Sequence, residues 1–216
     1  MLKYLINLLF PKLCLGCNAL LLNNEKIICS ECNHNLPITN HHFLEHNDTT
    51  KKFYGIIPIE FSASMLYFHH KGIVQNLIHN LKYKNHQEVG SLLGKWYAKD
   101  LETVSQIKTV SEIIPVPLHK KRLEERGYNQ VTTFCEALSN ELKIPYNPDL
   151  LYRSRYSKTQ TKKDKENRKD IANSLFDVNF TEADHNKHFL LVDDVMTSGA
   201  TLEACAKALL KIPNSK

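Results

Sequence analysis

The chain has 216 residues, of which 42% are hydrophobic and 24% are charged, as is ordinary for a soluble globular protein. Its formal net charge of +5 is compatible with anionic ligands but is too small to indicate nucleic acid by itself. No apolar run approaches the ~18 residues that a membrane helix needs, and the N-terminus lacks the pattern of a secretory signal. We therefore expect no membrane insertion and a cytoplasmic protein, with one sizeable core and a small appendage.

The first pattern along the chain is a set of two Cys-x-x-Cys pairs, formed by Cys14, Cys17, Cys29 and Cys32. Each pair can present two thiolates to one tetrahedral ion, and Gly16 suits the tight turn inside the first pair. Two disulfides are the alternative, but a cytosolic protein keeps its thiols reduced. The spacing predicts a structural Zn²⁺ site, to which we assign no catalysis because four thiolates leave no open position.

A polar stretch follows the cysteines and contains His41, His42 and His46. Because four thiolates already complete a tetrahedron, we interpret these histidines as exposed residues of a linker. The predicted domain organisation is a zinc-finger module with its linker at 1–50 and a second domain at 53–216.

From about residue 53 the pattern alternates between strands and helices. Short apolar runs predict strands at 64–68, 112–117 and 189–192. Apolar residues at helical spacing predict helices around 73–81, 89–96, 131–138 and 202–209, with Cys135 and Cys205 as small core residues. This alternation indicates an α/β fold with a mostly parallel sheet, whose ligand lies at the carboxyl edge of the strands.

The last predicted strand leads into two adjacent carboxylates, Asp193 and Asp194, and then into a loop that bears hydroxyls and a glycine. Ionised carboxylates can accept hydrogen bonds from two ribose hydroxyls. The loop offers small side chains and backbone N–H groups at a helix N-terminus, which together suit a phosphate. An ordinary turn whose Asp and Thr cap the helix is the alternative.

This motif resembles the phosphoribosyl-pyrophosphate (PRPP) signature of the type I phosphoribosyltransferases. The resemblance implies that Asp193 and Asp194 hold the ribose hydroxyls. It also implies that the following loop wraps the 5′-phosphate, with the residues Thr197, Ser198, Gly199, Ala200 and Thr201.

Two basic segments accompany this motif. The first runs from 115 to 130, contains Lys121, Arg122 and Arg126, and ends in Arg-Gly-Tyr-Asn-Gln. Guanidinium groups suit phosphate because they can donate two parallel hydrogen bonds, but a solvated charge run is the alternative. The second segment, 153–169, has a local excess of cations and is typical of a mobile loop or a solvated linker.

Together, the cysteine pairs, the Pro-Val-Pro and Arg-Gly-Tyr-Asn-Gln sequences, the second basic segment and the acid-pair motif resemble the ComF family, in its ComFC branch. The stretch Leu81-Lys82-Tyr83-Lys84 is also similar to a helix end of that family. The resemblance implies a type I phosphoribosyltransferase-like domain fused to a zinc finger. It also implies a role in natural transformation, in which incoming single-stranded DNA is handled in the cytoplasm, often beside a helicase-like ATPase partner.

The leading hypothesis is therefore a PRPP-binding competence protein that engages single-stranded DNA. Single-strand binding combines cations with aromatic stacking platforms. The cations that we single out are Arg153, Arg155, Lys162, Lys163 and Arg168, with Tyr128, Tyr152 and Tyr156 as aromatic candidates that could equally be half-buried loop residues.

Two alternatives remain open. In a working transferase, PRPP would bind with Mg²⁺, and Lys121, Arg122 and Arg126 would neutralise the departing pyrophosphate. Nothing in the sequence names the acceptor, so turnover stays undecided. In a PRPP-sensing adaptor, the ligand would gate a helicase partner.

Overall fold

The computed structural model describes residues 11–154 and 175–216. Its helices are α1 Ser30–His34, α2 Asp48–Lys51, α3 Ile73–Tyr83, α4 Glu88–Leu101, α5 Lys120–Arg126, α6 Thr132–Leu142 and α7 Ala200–Leu209. Its strands are β1 Glu112–Pro115, β2 Leu151–Arg153, β3 Phe176–Val178 and β4 Phe189–Val192. None of the described helices is long and apolar enough to cross a membrane.

The parallel sheet is built on β1 and β4, which pair from Glu112 with Phe189 to Pro115 with Val192. Tyr146 forms a further parallel bridge with Ile113 on the other side of β1. The strands β2 and β3 pair antiparallel and form a separate ribbon. Because β1 and β4 run side by side, the segments that follow them emerge at the same edge of the sheet.

Apolar side chains at helical spacing place α3, α4, α6 and α7 where the sequence predicts them. In α7 the buried residues are Ala204, Cys205, Ala208 and Leu209. Leu202 and Ala206, which the spacing also assigns to the inner face, are only partly buried. Cys135 and Cys205 are fully buried, as predicted.

The strand predicted at 64–68 is wrong. Only Leu66 of this segment forms a bridge, which it makes with Ile38. The side-chain hydroxyl of Thr39 donates to the carbonyl of Ser64, and the side-chain amide of Asn47 donates to the carbonyl of Ser62 at 2.7 Å. These side chains occupy backbone acceptors that a neighbouring strand would otherwise use, so the ladder does not extend.

The expectation of exposed linker histidines is also wrong for His41 and His42, which are 4% and 9% exposed. His41 Nδ1 lies 3.0 Å from the Thr49 hydroxyl. Asn47 caps α2 by accepting from the N–H groups of Thr49 and Thr50 at 2.9 Å. This segment is therefore a hydrogen-bonded part of the structure, in which only His46 of the three histidines is exposed.

The cysteine region packs directly on α3 and α4. Cys14, Cys29 and Cys32 share a hydrophobic cluster with apolar residues of both helices. Two α3 side chains bond its backbone: Asn76 donates to the Gly16 carbonyl at 2.7 Å and Asn80 donates to the Leu15 carbonyl at 2.9 Å. The division at residue 50 stays a prediction, and the contacts tie its two sides together through α3.

We predict that Asn80→Ala lowers the free energy of unfolding by about 1–3 kcal/mol, because it leaves the Leu15 carbonyl without its donor in a buried setting. Urea denaturation with the metal content held constant would measure this change. Asn33→Ala removes an exposed asparagine from α1 and serves as the matched control. Equal losses in the two variants would show that the Asn80 contact contributes nothing specific.

Candidate functional site

The acid pair lies directly after β4, at the carboxyl edge of the sheet. Asp193 and Asp194 are partly buried, and the Asp194 N–H donates to Asp193 Oδ1 at 2.8 Å. Burial and the neighbouring charge of Asp194 raise the pKa of Asp193 to about 6. Both carboxylates therefore occupy one small region, where a ligand with vicinal hydroxyls could meet them.

This charge is compensated by a lysine that the sequence analysis named as part of a helix end but not as a site residue. Lys82, at the C-terminal end of α3, places its Nζ 2.7 Å from Asp194 Oδ2, and the two side chains are only 19% and 9% exposed. The positive charge of Lys82 also lowers the pKa of Asp193, against the larger effect of burial. An ion pair with this little solvent contact is screened much less than a surface pair.

The Arg-Gly-Tyr-Asn-Gln sequence holds the end of α3 beside the acids. The Tyr128 hydroxyl donates to the Leu81 carbonyl. Asn129 donates to the Val116 carbonyl at 3.0 Å and accepts from the Val131 N–H at the start of α6. These contacts of Tyr128 and Asn129 therefore join the end of β1, the end of α3 and the start of α6, and so hold Lys82 in its position.

The hydroxyl-bearing loop turns at Gly199, whose φ of +85° is one that side chains with a Cβ rarely adopt. A Cβ at this position would also lie 3.1 Å from the Phe53 ring. The neighbouring Lys52 donates from Nζ to the Thr197 carbonyl. Residues 52 and 53, just after α2, thus lie against the predicted phosphate loop and add a cation to it.

A cavity of about 520 Å³ opens beside the acid pair. Its lining is mostly apolar and includes Leu81, Phe134, Val195 and Met196. An apolar lining does not compensate phosphate charges. The groups that can bind an anion are therefore at the loop and at Lys82, while the cavity suits an uncharged group.

The structure separates the basic residues that the sequence grouped. Lys121 and Arg122 are exposed on α5, and Lys121 Nζ lies 4.0 Å from Glu125. Arg126 instead donates to Gln130 at 2.6 Å and lies over the Tyr83 ring, 5.1 Å from its centroid.

The second basic segment lies mostly outside the described residues. Arg153 is exposed at the end of β2 and lies over the Phe176 ring, 5.4 Å from its centroid. Tyr152 of the same strand is 44% exposed. The other predicted nucleic-acid residues are not described: Arg155, Tyr156, Lys162, Lys163 and Arg168.

The four cysteines converge as their spacing predicts. Their sulfurs all lie within 4.8 Å of one another, and all four are free thiols, so this cluster could hold a metal ion such as zinc. A Cβ on Gly16 would lie 2.9 Å from Cys32 Sγ, which explains the glycine in the first pair.

Backbone donors favour the thiolate form of one of these cysteines, Cys14. Burial raises the pKa of Cys14, but N–H groups of Cys29, Cys17 and Gly16 outweigh it and lower the pKa to about 7. The Cys29 N–H, for example, lies 3.2 Å from Cys14 Sγ. A thiolate is the form that binds metal, so these N–H groups favour the liganding state of Cys14, whereas burial and the neighbouring cysteines raise the pKa of Cys32.

Comparison with known proteins agrees with this geometry. Residues 132–215 match the family of phosphoribosyl transferase domains, and the match includes the acid pair and its loop. The chain contains a phosphoribosyltransferase domain. The predicted α/β fold class with a parallel sheet is thereby confirmed.

Relatives that match over part of their length point to the family named from the sequence. Competence protein F of Haemophilus influenzae is 30% identical over 140 residues, which are 63% of this chain and 61% of that protein. DNA utilization protein YhgH of Escherichia coli K12 is 28% identical over 138 residues, or 62% and 60% of the two chains. Competence protein ComFC of Bacillus subtilis is 32% identical over 99 residues, or 46% and 38%.

These relatives confirm the resemblance to the ComF family. The chain spans about 60% of the length of the first two relatives. No solved structure matches it significantly.

We predict that Asp193→Asn raises the free energy of unfolding at pH 8 and has almost no effect at pH 4. The pKa of this carboxyl is raised from 3.8 to about 6, so its stabilising contribution is complete below pH 4 and is lost as the pH rises through 6. A rise of this size in the pKa of Asp193 corresponds to a change of at most about 3 kcal/mol in the free energy of unfolding. Chemical denaturation at the two pH values measures the difference.

Asp184→Asn is the control with the opposite sign. Lys187, at 2.8 Å, and the Thr181 N–H lower the pKa of Asp184, so this substitution should destabilise the protein at pH 8. If both variants were destabilised alike at pH 8, the unfavourable ionisation of Asp193 would be disproved.

The cysteine cluster predicts one zinc ion per chain in gently purified protein, measured by elemental analysis. Cys17→Ser should lower this content several-fold, because it removes one of four thiolates. Cys135→Ala changes a buried cysteine of another cluster and should retain the metal. Equal zinc contents in all three proteins would place the metal elsewhere.

Proposed function

We propose that the chain is a PRPP-binding protein of the competence type, which acts on incoming single-stranded DNA in the cytoplasm during natural transformation. The observation that carries the PRPP part is the position of Asp193 and Asp194 beside a glycine-hinged loop at the carboxyl edge of the sheet. The phosphoribosyltransferase domain and the names of the relatives support the same proposal.

In this proposal the ribose hydroxyls donate to Asp193 and Asp194, and the 5′-phosphate accepts from the loop residues 197–201. To reach Asp194, the ribose hydroxyls have to displace Lys82 from this carboxylate or bind the carboxylate beside it. Once released, Lys82 is a cation beside the ligand and can move to a pyrophosphate oxygen. Mg²⁺ would be held mainly by the phosphates of the ligand and would offset their charge, because it binds few protein carboxylates and keeps several waters.

Lys52 completes the phosphate side of the site. Its Nζ already lies at the Thr197 carbonyl, inside the loop that would wrap the phosphate. A phosphate there would attract the ammonium group more strongly than a neutral carbonyl does.

The zinc site has a structural role in the same proposal. Zn²⁺ held by Cys14, Cys17, Cys29 and Cys32 would stabilise the segment that packs on α3. A closed set of four thiolates supplies no reacting group.

A transferase reaction is the second candidate, and the apolar cavity beside the acid pair favours it, because an acceptor needs room next to the ribose. Pyrophosphate release from PRPP with a panel of amines and bases would reveal turnover. The adaptor function, with a helicase-like ATPase partner, stays a prediction from the resemblance.

Isothermal titration with PRPP and Mg²⁺ tests the binding proposal. Asp194→Asn should weaken binding at least about 10-fold, because a lost hydrogen bond to a charged group costs about 1.5–3 kcal/mol. Glu203→Gln in α7 is the control, since that side chain pairs with Lys207 at 2.6 Å. Unchanged affinity in Asp194→Asn would refute the assignment of the acid pair.

Lys52→Gln should also weaken PRPP binding several-fold, because it removes a cation from the phosphate loop. Lys51→Gln is the matched control, because the Lys51 side chain is 68% exposed and pairs with Asp48 instead. Isothermal titration of the two variants with PRPP and Mg²⁺ measures the difference in affinity. Equal affinities would leave Lys52 with a purely structural contact.

A further inference from the structure

The segment around α3 carries positive charge without any acidic residue. From 61 to 87 the chain contains no Asp or Glu, while Lys71, Lys82 and Lys84 are accompanied by four histidines, His69, His70, His79 and His86. This segment is entirely within the described residues. Lys82 is paired with Asp194 and His86 lies beside Glu88, so the lysines of this segment that are left to attract an anionic partner are Lys71 and Lys84.

Several of these polar side chains share one face. Gln75, His79 and Tyr83 recur at four-residue intervals within α3, which places them in a row along the helix, and Lys71 lies just before the first turn. A shallow cleft on this face is lined by Lys71, Gln75, Asn76, His79 and Lys84. We name Lys71, Gln75, His79, Tyr83 and Lys84 the α3 stripe.

Tyr83 provides an aromatic surface at the end of the stripe. It is 66% exposed, although two neighbours already hold its ring. The His79 ring centroid lies 5.2 Å from that of Tyr83, and the Arg126 guanidinium lies 5.1 Å from the centroid. Because these contacts restrain the ring before binding, less side-chain entropy is lost when a flat group stacks on it.

We propose that the α3 stripe binds single-stranded nucleic acid, with Lys71 and Lys84 at the phosphates and a base stacked on Tyr83. This inference rests on the proposed function and locates its DNA-binding surface. Cations interleaved with an exposed aromatic ring match the way in which single strands are bound without sequence preference. A duplex would present its phosphates but not an unstacked base.

The dimensions of the stripe fit a short length of strand. Helix α3 has 11 residues and is therefore roughly 16 Å long, at about 1.5 Å per residue, and Lys71 and Lys84 flank its two ends. The smallest single-strand sites cover about 4 nucleotides, which fits a surface of this length. The stripe ends next to Lys82, so a bound strand would run to the edge of the acid-pair site.

The first test measures binding of a fluorescent 20-nucleotide thymidine oligomer by anisotropy at low salt. Tyr83→Ala should weaken binding at least about 5-fold, which is the lower bound implied by the loss of one stacked base. Tyr83→Phe keeps the ring and should bind like wild type. Tyr54→Ala is the matched control, because Tyr54 is 84% exposed and lies outside the stripe.

The second test uses the salt dependence of the same binding. The double variant Lys71→Ala/Lys84→Ala should reduce the slope of log K against log salt by about 1.4, at about 0.7 for each lost phosphate contact on a single strand. Lys95→Ala/Lys99→Ala removes two exposed lysines from α4 and should leave the slope unchanged.

The outcomes separate this inference from the proposal on which it rests. If wild-type protein does not bind the oligomer at low salt, the single-stranded DNA function fails, whatever the variants do. If wild type binds but the stripe variants behave like their controls, the stripe is overturned and the function stands. Equally tight binding of a duplex would also overturn it, because a base stacked on Tyr83 must be unpaired. Circular dichroism of each variant verifies that it is folded.

Discussion

The ion pair between Lys82 and Asp194 is the interaction on which the arrangement of the site depends. Two adjacent carboxylates at a partly buried strand end repel each other, and burial raises the cost of ionising both. Lys82 compensates this charge, but only if the end of α3 lies beside the end of β4. The contact of Tyr128 with the Leu81 carbonyl holds it there. The geometry of the acid pair is therefore set by residues far from it in the chain.

The same helix connects the cysteine cluster with the acid pair. Asn76 and Asn80 bond the backbone of the first cysteine pair, while Lys82, two residues further on, reaches Asp194. A metal ion in the cluster would thus stabilise the position of the helix that carries Lys82, although it lies outside the ligand site. Through α3, a metal ion in the cluster would therefore affect the position of Lys82 without contributing a reacting group.

Local sequence patterns predicted the longer elements well and the short ones poorly. Helices α3, α4, α6 and α7 bury apolar side chains at regular spacing, and that spacing is visible in the sequence. Helix α5 buries no side chain, so it carries no such periodicity. Strands β2 and β3 have three residues each, too few for a recognisable alternation. The segment 64–68 has the composition of a strand, but side chains of Thr39 and Asn47 occupy its neighbouring acceptors.

The sequence by itself determined the groups whose chemistry depends on local spacing. The cysteine pairs and the acid pair with its loop each lie within a few residues, so their residue types and intervals already indicate which atoms will meet. The tertiary structure alone decided the partners that come from elsewhere in the chain. Lys82 reaches Asp194, Lys52 reaches Thr197, and Tyr83 meets Arg126 only because helices pack against the sheet edge. No local pattern contains these contacts, because each joins residues that only packing brings together.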